Sequence, residues 1–241
     1  MNKVALLAIR QYKLTSRSRR TSYILDFGCG DGRLVQAINK QGHHCIGVDP
    51  AISALKYFIY NPSNLYNSIS QIPLDIDICS SFSHHVLEHI EKPENYLLQV
   101  HSRMSPFSKS FHCLPARLFF LEPHTRIPFF LLMPINLVVD YPFILRILLL
   151  LKLGPVHWKS CKTLPFADFY TSVCLYIQHN LFFHSYFSLK TSLLALGLNI
   201  KPILITELPS CPPLLTYLCP PFLTYLCSLF RSQYYVVSRC L

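Results

Sequence analysis

The chain has 241 residues, 51% of them hydrophobic and 14% charged. That composition excludes a disordered polymer and is long enough for one sizeable core, or one domain with an appended lobe. Net charge is +10, which favours anionic surfaces or acidic ligands, but no basic-aromatic stripe accompanies it, so nucleic acid is not the expected partner. The ten cysteines include no C-x-x-C, and Cys211, Cys219 and Cys227 recur every eight residues, a spacing that suits neither zinc nor a disulfide framework. Free thiols in a reducing cytoplasm are expected. The N-terminus lacks the apolar core and cleavage site of a secretory signal.

Residues 1–21 carry Lys3, Arg10, Lys13, Arg17, Arg19 and Arg20 and no acid; they read as a solvated basic arm, with steering of substrate or contact with a membrane surface as the alternative. Residues 22–241 read as one domain. Tyr23–Phe27 is a buried strand ending in a glycine loop, Gly32–Lys40 a helix ended by Gly42, and Cys45–Val48 a second strand. A helix over Ala51–Tyr60 follows, then a weak third strand, Leu65–Ile69, a fourth, Ile76–Phe82, a helix over Pro93–Met104 and a fifth strand, Ser110–Leu114. Leu189–Leu196 reads as a helix capped by Gly197, with strands at Asn199–Thr206 and Gln233–Ser238. The alternation implies an α/β fold: a doubly wound, mostly parallel, seven-stranded sheet with helices on both faces.

Residues 115–180 break the rhythm and read as a helical, proline-rich cap inserted over the open end of that sheet. Its most apolar stretch, Ile127–Leu153, is interrupted by Pro128, Pro134, Asp140, Pro142 and Arg146, so a buried or membrane-lying cap is expected in preference to a span. The pentapeptide LTYLC occurs at 215–219 and again at 223–227; two copies cannot make a solenoid.

The chemistry concentrates at Asp26-Phe27-Gly28-Cys29-Gly30-Asp31-Gly32, between a strand and a helix. Glycines there let backbone approach a ligand, and the helix start favours a negative group. A dinucleotide fingerprint would be G-x-G-x-x-G; here the spacing is G-x-G-x-G and position 33 is Arg. Asp26 can pair with the ammonium of an amino-acid-like ligand. Asp49 ends the next strand, nineteen residues beyond Gly30, where an acid accepts hydrogen bonds from ribose hydroxyls. Loop and acid together point to an adenosine-type cofactor.

With these residues in order, followed by SISQIPL at 68–74, SFSHHVLEHIEKPENYL at 81–97 and RMSP at 103–106, residues 22–114 resemble the class I S-adenosylmethionine-dependent methyltransferases, and most of all their small-molecule and lipid-type branch. The stretch at 186–201 is similar to that family's penultimate helix and strand. The resemblance implies a Rossmann-like fold with S-adenosyl-L-methionine as cofactor. It implies Asp26, Gly28, Cys29 and Gly30 around the methionine part, Asp49 on the ribose, Pro50 and Ile69 near the adenine, and Ser83 and His84 along the methionine side. Ser68 stands where an acid is common, and Pro106-Phe107-Ser108 replaces the usual Pro-Gly-Gly turn. The implied partner is a small-molecule or lipid-like acceptor, for a cytoplasmic enzyme with possible contact with a membrane surface.

His85-x-x-Glu88-His89 also fits an inverted zinc-protease signature if all five residues lie on one helix, but the family context makes Glu88 and His89 structural or pocket-lining, and no metal is expected. Cys219-Pro220-Pro221-Phe222 fails as a Pro-Pro-aromatic amino-methylation motif, because Cys cannot supply the acceptor that such chemistry uses. Glu122, His124 and Arg126 form a polar cluster in the cap: His124, like His85, is a candidate general base and Arg126 a candidate anion ligand, against a self-satisfied Glu122–Arg126 pair. Two other readings stay open: a cofactor-binding partner protein without turnover, and a nicotinamide-dependent oxidoreductase.

Overall fold

The computed structural model describes residues 2–15, 22–52, 64–114, 125, 127, 135–152, 154–155, 158–180, 182, 184, 186–203 and 233–240. Glu122, His124, Arg126, most of the Ala51–Tyr60 helix, the end of Asn199–Thr206 and both LTYLC copies lie outside them, as do Cys211, Cys219 and Cys227.

The chain opens with a helix, α1 (Lys3–Thr15), where a solvated arm was expected. Asn2 caps it through Oδ1, which accepts from Ala5 N at 2.8 Å. The basic residues hide a second pattern, because Val4, Ala5, Leu7, Ala8 and Ile9 share one buried face. Apolar burial along that stripe outweighs the pull of the charges toward water, which long Lys and Arg side chains satisfy at the rim.

The strands are β1 (Ser22–Phe27), β2 (Cys45–Val48), β3 (Leu65–Tyr66), β4 (Asp77–His84), β5 (Met104–Leu114), β6 (Leu198–Pro202) and β7 (Gln233–Arg239), and among the described residues they form one seven-stranded sheet in the order β3-β2-β1-β4-β5-β7-β6. The pairs from β3 across to β5 are parallel; β7 runs antiparallel to both β5 and β6. Helix α2 (Arg33–Asn39) joins β1 to β2, and α3 (Pro93–Arg103) leads from β4 to β5. Asn39 clamps the α2–β2 turn: its Nδ2 donates to Cys45 O at 3.0 Å and its Oδ1 accepts from Cys45 N at 2.7 Å.

The sheet is covered on both faces. On one, Leu97 and Val100 of α3 and Leu189 and Leu193 of α8 (Tyr186–Ala195) close over Leu25, Ile78, Leu114 and Val237. On the other, α1 and α2 cover Ile24, Cys45, Phe82 and Phe111. The helices α4 (Ile135–Asp140), α5 (Pro142–Leu150), α6 (Lys159–Thr163) and α7 (Phe166–Asn180) form a lobe with its own apolar cluster around Ile127, Val138, Leu145, Leu148, Phe169, Val173 and Ile177. No helix among the described residues is long and apolar enough to cross a membrane.

Two boundaries differ from expectation for local reasons. The third strand stops at Tyr66 because Ile69–Gln71 turns into a 3-10 helix. The fifth begins at Met104 rather than Ser110, so Pro106-Phe107-Ser108 is not a separate turn. It lies in an irregularity of the ladder, where Met104 pairs with Ile78 and Lys109 with Ser80. Proline is tolerated at such a bulge because no ladder donor is required of it.

Candidate active site

The strand order reverses between β1 and β4, and the loops after β1, β2 and β4 meet at that point. Ligands of open α/β sheets bind in the crevice outside the carboxyl ends of the strands at such a switch. A cavity of about 310 Å³ lies there, lined by Phe27, Gly28, Asp49, Pro50, His85, Val86, His89, Ile90 and Tyr96.

The glycine loop is shaped by its neighbours as well as by its dihedrals. Gly28 has φ +73°, and a Cβ built there would lie 2.3 Å from Val86 Cγ2, so β4's exit loop closes on the loop of β1 only because the side chain is missing. The loop carries Asp49 with it. Asp49 Oδ2 accepts from Gly30 N at 2.9 Å and Oδ1 from Ala51 N at 2.9 Å, while Gly28 N donates to Val48 O at 2.8 Å. Loop and acid therefore form one connected structure. Phe27 and Tyr96 pack beside it in a tilted arrangement, with ring centroids 3.9 Å apart.

Asp26 is buried beneath the loop. Burial, and then the charge of Asp49, push its carboxyl up to about 8, so it is mostly neutral at about pH 7 until a cation arrives. Cys29 points away from the cavity: it packs under Gly47 and Leu65, and burial raises its thiol pKa. Only its backbone faces the loop interior. Ile69 belongs to the buried cluster with Leu25 and Ile46. Ser83 is inside the sheet, where its hydroxyl meets His112 Nδ1 at 2.8 Å. From there a buried chain of hydrogen bonds runs through His112 Nε2 to Ser110 Oγ at 2.8 Å and on to His101 Nε2 at 2.9 Å. Burial lowers both imidazoles, His112 to about 3 and His101 to about 4, so both are neutral.

Beyond β4 the backbone turns sharply. His85 has φ +57°, a left-handed conformation rare for a residue with a side chain, and its N–H donates to Cys113 O at 2.9 Å. Leu87–His89 is a single 3-10 turn. His85, Glu88 and His89 are thus not on one α-helix, and the inverted zinc-protease arrangement is absent. His85 Nδ1 instead lies 3.1 Å from Glu88 Oε1. Burial alone would lower the His85 pKa, but hydrogen bonds to Cys113 and Glu88 outweigh it and raise it to about 10. Burial likewise opposes ionisation of Cys113, yet His84 and His85 together bring its thiol down to about 7.

Of the residues read from the sequence, the cavity wall gathers Gly28, Asp49, Pro50 and His85; Asp26, Cys29 and Gly30 belong to the loop behind it, and His84 lies exposed at the end of β4. Phe27, Val86, Ile90 and Tyr96 were not singled out. Tyr96 could have been found from the Pro93 helix start, one turn along from which a residue faces back over β1.

The family follows from comparison with known proteins. Residues 4–133, more than half of the chain, match the family model of a methyltransferase domain. The chain belongs to this methyltransferase family. The match starts within α1, so that helix is part of the methyltransferase domain. The comparison with curated proteins gives no significant match. Among solved structures the chain resembles the plantazolicin methyltransferase BpumL in complex with SAH, at TM-score 0.51 and 14% identity over 97% of this chain and 82% of that one. It also resembles an S-adenosylmethionine dependent methyltransferase from Mesorhizobium loti, at TM-score 0.50 and 12% identity over 91% of each chain. At such identities the likeness establishes the fold, a Rossmann-like methyltransferase sheet.

Proposed function

We propose that the chain binds S-adenosyl-L-methionine at the carboxyl edge of β1, β2 and β4 and transfers its methyl group to a small-molecule or lipid-like acceptor. The observation that carries this is the Asp49–Gly30 connection: the acid suited to ribose and the loop suited to a methionine moiety are joined at 2.9 Å where the strand order reverses between β1 and β4. The structures in complex with SAH among the similar folds support the same cofactor.

The residues present fit that group. The missing side chain at Gly28 leaves backbone at the cavity wall, Asp49 offers two acceptor oxygens to a diol, and Asp26 is poised to take on full charge beside an ammonium. Pro50 flanks the adenine end, and Ile69 supports it from the core. Gly28, Cys29 and Gly30 contribute backbone to the methionine end. S-adenosylmethionine supplies an activated methyl on a sulfonium. The chain's task is then to orient the two reactants in line and exclude water. Phe27, Val86, Ile90 and Tyr96 do the excluding. In this state His85 already carries a proton, so it acts as a donor or fixed charge and not as a general base; an acceptor with a proton to lose passes it to another group or to water. His124, Glu122 and Arg126 remain proposed acceptor contacts.

An apolar acceptor is supported by the lobe, where Phe143, Ile147, Leu150 and Leu151 are 58%, 50%, 83% and 63% exposed, with Arg146 and Lys152 among them. Exposed apolar side chains beside basic ones suit an amphipathic or membrane-resident substrate.

The test is calorimetric titration with S-adenosylhomocysteine and, in parallel, a nicotinamide dinucleotide. Asp49→Ala should weaken S-adenosylhomocysteine binding by about 10- to 100-fold, the loss of hydrogen bonds to a charged group. Equal affinity of Asp49→Ala and parent, or preference for the dinucleotide, overturns the assignment. Labelled methyl transfer to lipid and small-molecule extracts then separates an enzyme from a binding partner without turnover.

A further inference from the structure

His84, His85 and Cys113 are brought together by a device that the strands alone would not provide. His84 and Cys113 are paired residues of β4 and β5, so their side chains stand on the same face of the sheet. His85, as the next residue, would in a continuing strand point to the opposite face. The left-handed backbone at His85, φ +57°, returns its ring to the same side. The two imidazoles approach edge to face with centroids 4.4 Å apart. One ligand atom from each of His84, His85 and Cys113 lies within 4.8 Å of the others.

We propose that these three side chains bind a zinc-class divalent metal ion. The donor set, two imidazoles and one thiolate, is the borderline-soft set that zinc takes. Bond lengths of about 2.0–2.3 Å place tetrahedral ligands about 3.5 Å apart; the 4.8 Å envelope would have to close by about an ångström around an ion. A supporting shell is present. His85 Nδ1 faces the buried carboxylate of Glu88 at 3.1 Å, the kind of partner that orients a metal-bound imidazole. Access is present too: Cys113 is fully buried and could not serve a bulky substrate as a nucleophile, but His84 is exposed and gives an ion a path to the sulfur.

Three protein ligands leave a fourth position for water or another small ligand. His85 also lines the cavity, so a metal there stands at its edge and could hold the heteroatom of an acceptor and favour its deprotonated form. That role rests on the methyl-transfer reading; the metal site does not.

The experiment uses cobalt(II) as a spectroscopic probe on the full, reduced, metal-free chain. One equivalent should bind, with a near-ultraviolet thiolate-to-cobalt band and the intense visible bands of a tetrahedral ion. Cys113→Ser should abolish the thiolate band. His84→Gln, at an exposed position, should weaken binding at least about tenfold, and Glu88→Gln by about 10- to 100-fold, as for supporting partners of other sites. Cys240→Ser, at an exposed cysteine outside the cluster, should leave the spectrum unchanged. Thermal melts of each variant confirm that it is folded. No binding at micromolar cobalt, or a thiolate band that survives in Cys113→Ser, overturns the site. S-adenosylhomocysteine titrated into the metal-free chain keeps the two proposals separate: binding there with no cobalt site sinks only the metal, and a cobalt site without that binding sinks only the cofactor.

Discussion

The carboxyl edge of the sheet and the helical lobe of residues 135–180 draw on the same apolar residue types and arrange them oppositely. At the sheet edge, polar groups are inside: Asp26, Ser83, Glu88, His101 and His112 are all buried, each between packed elements. In the lobe, Phe169, Val173, Ile177 and Leu145 fill the centre, and large apolar side chains remain outside, with Leu150 83% exposed. Buried polar groups are costly unless their surroundings hold them in one arrangement, which makes the sheet edge a fixed site. An exposed apolar face carries no such constraint and draws its meaning from what it meets. The chemistry is therefore expected to belong to the sheet, and the choice of acceptor to the lobe.

The largest effects test whether the two cores are separate. Leu97→Ala, beneath α3, should cost about 2–5 kcal/mol and weaken S-adenosylhomocysteine binding with it. Phe169→Ala should cost about 3–5 kcal/mol in the lobe and leave that binding nearly intact. Urea unfolding followed in parallel with the binding titration checks both, and loss of cofactor affinity in Phe169→Ala breaks the division.

Next in size is Gly28→Ala. The left-handed backbone costs about 1–2 kcal/mol for any residue with a Cβ, and the contact with Val86 adds about 1–3 kcal/mol of overpacking. Adding Val86→Ala to the same chain should recover the steric part and leave the backbone part, as read by melting temperature.

The pH dependence sharpens the picture of the sheet edge. Asp26, with its folded pKa raised to about 8, contributes stability that is full below about 4 and lost as pH rises through 8. His101, lowered to about 4, contributes stability that is full above about 6.5 and lost as pH falls through 4. Asp26→Asn should therefore remove the fall in melting temperature that accumulates as pH rises from about 4 to 8, and leave the His101 contribution in place. In the parent, S-adenosylhomocysteine binding at pH 7 should release protons as Asp26 ionises, seen as a dependence of the calorimetric enthalpy on the buffer's ionisation heat.

The smallest effect falls in the lobe. Arg146 lies over the Phe166 ring, 4.3 Å from its centroid. Arg146→Ala should cost only about 0.5–1 kcal/mol and leave cofactor binding untouched, while transfer to an anionic, apolar acceptor falls. Unchanged transfer would show that the acceptor does not use this face.

Much of the sheet was legible in the residues themselves. β2 ends where the sequence reading put it, and β1, α2 and α3 differ by a residue or so, because a short apolar run, a glycine loop and a helix with Pro at its first turn are local signals. The place of Asp49 on the cavity wall was legible for the same reason: it follows a strand at a fixed distance from the loop. α1 was misread because its charges are more conspicuous than the five small and aliphatic residues beneath them, and burial is not a local property. Tyr96, Val86 and Phe27 were missed because their role comes from the meeting of three loops that are distant in the chain.

The sequence by itself determined that this is an α/β methyltransferase domain with a glycine loop at Asp26–Gly32, since period, glycine spacing and the order of the motifs are written along the chain. Only the tertiary structure decided that Cys29 and Ser83 turn into the core, that His85 is held charged beside Glu88, and that His84, His85 and Cys113 converge. Those outcomes depend on strand register, and on one left-handed residue that reverses the direction of a side chain, and neither leaves a mark in composition or spacing.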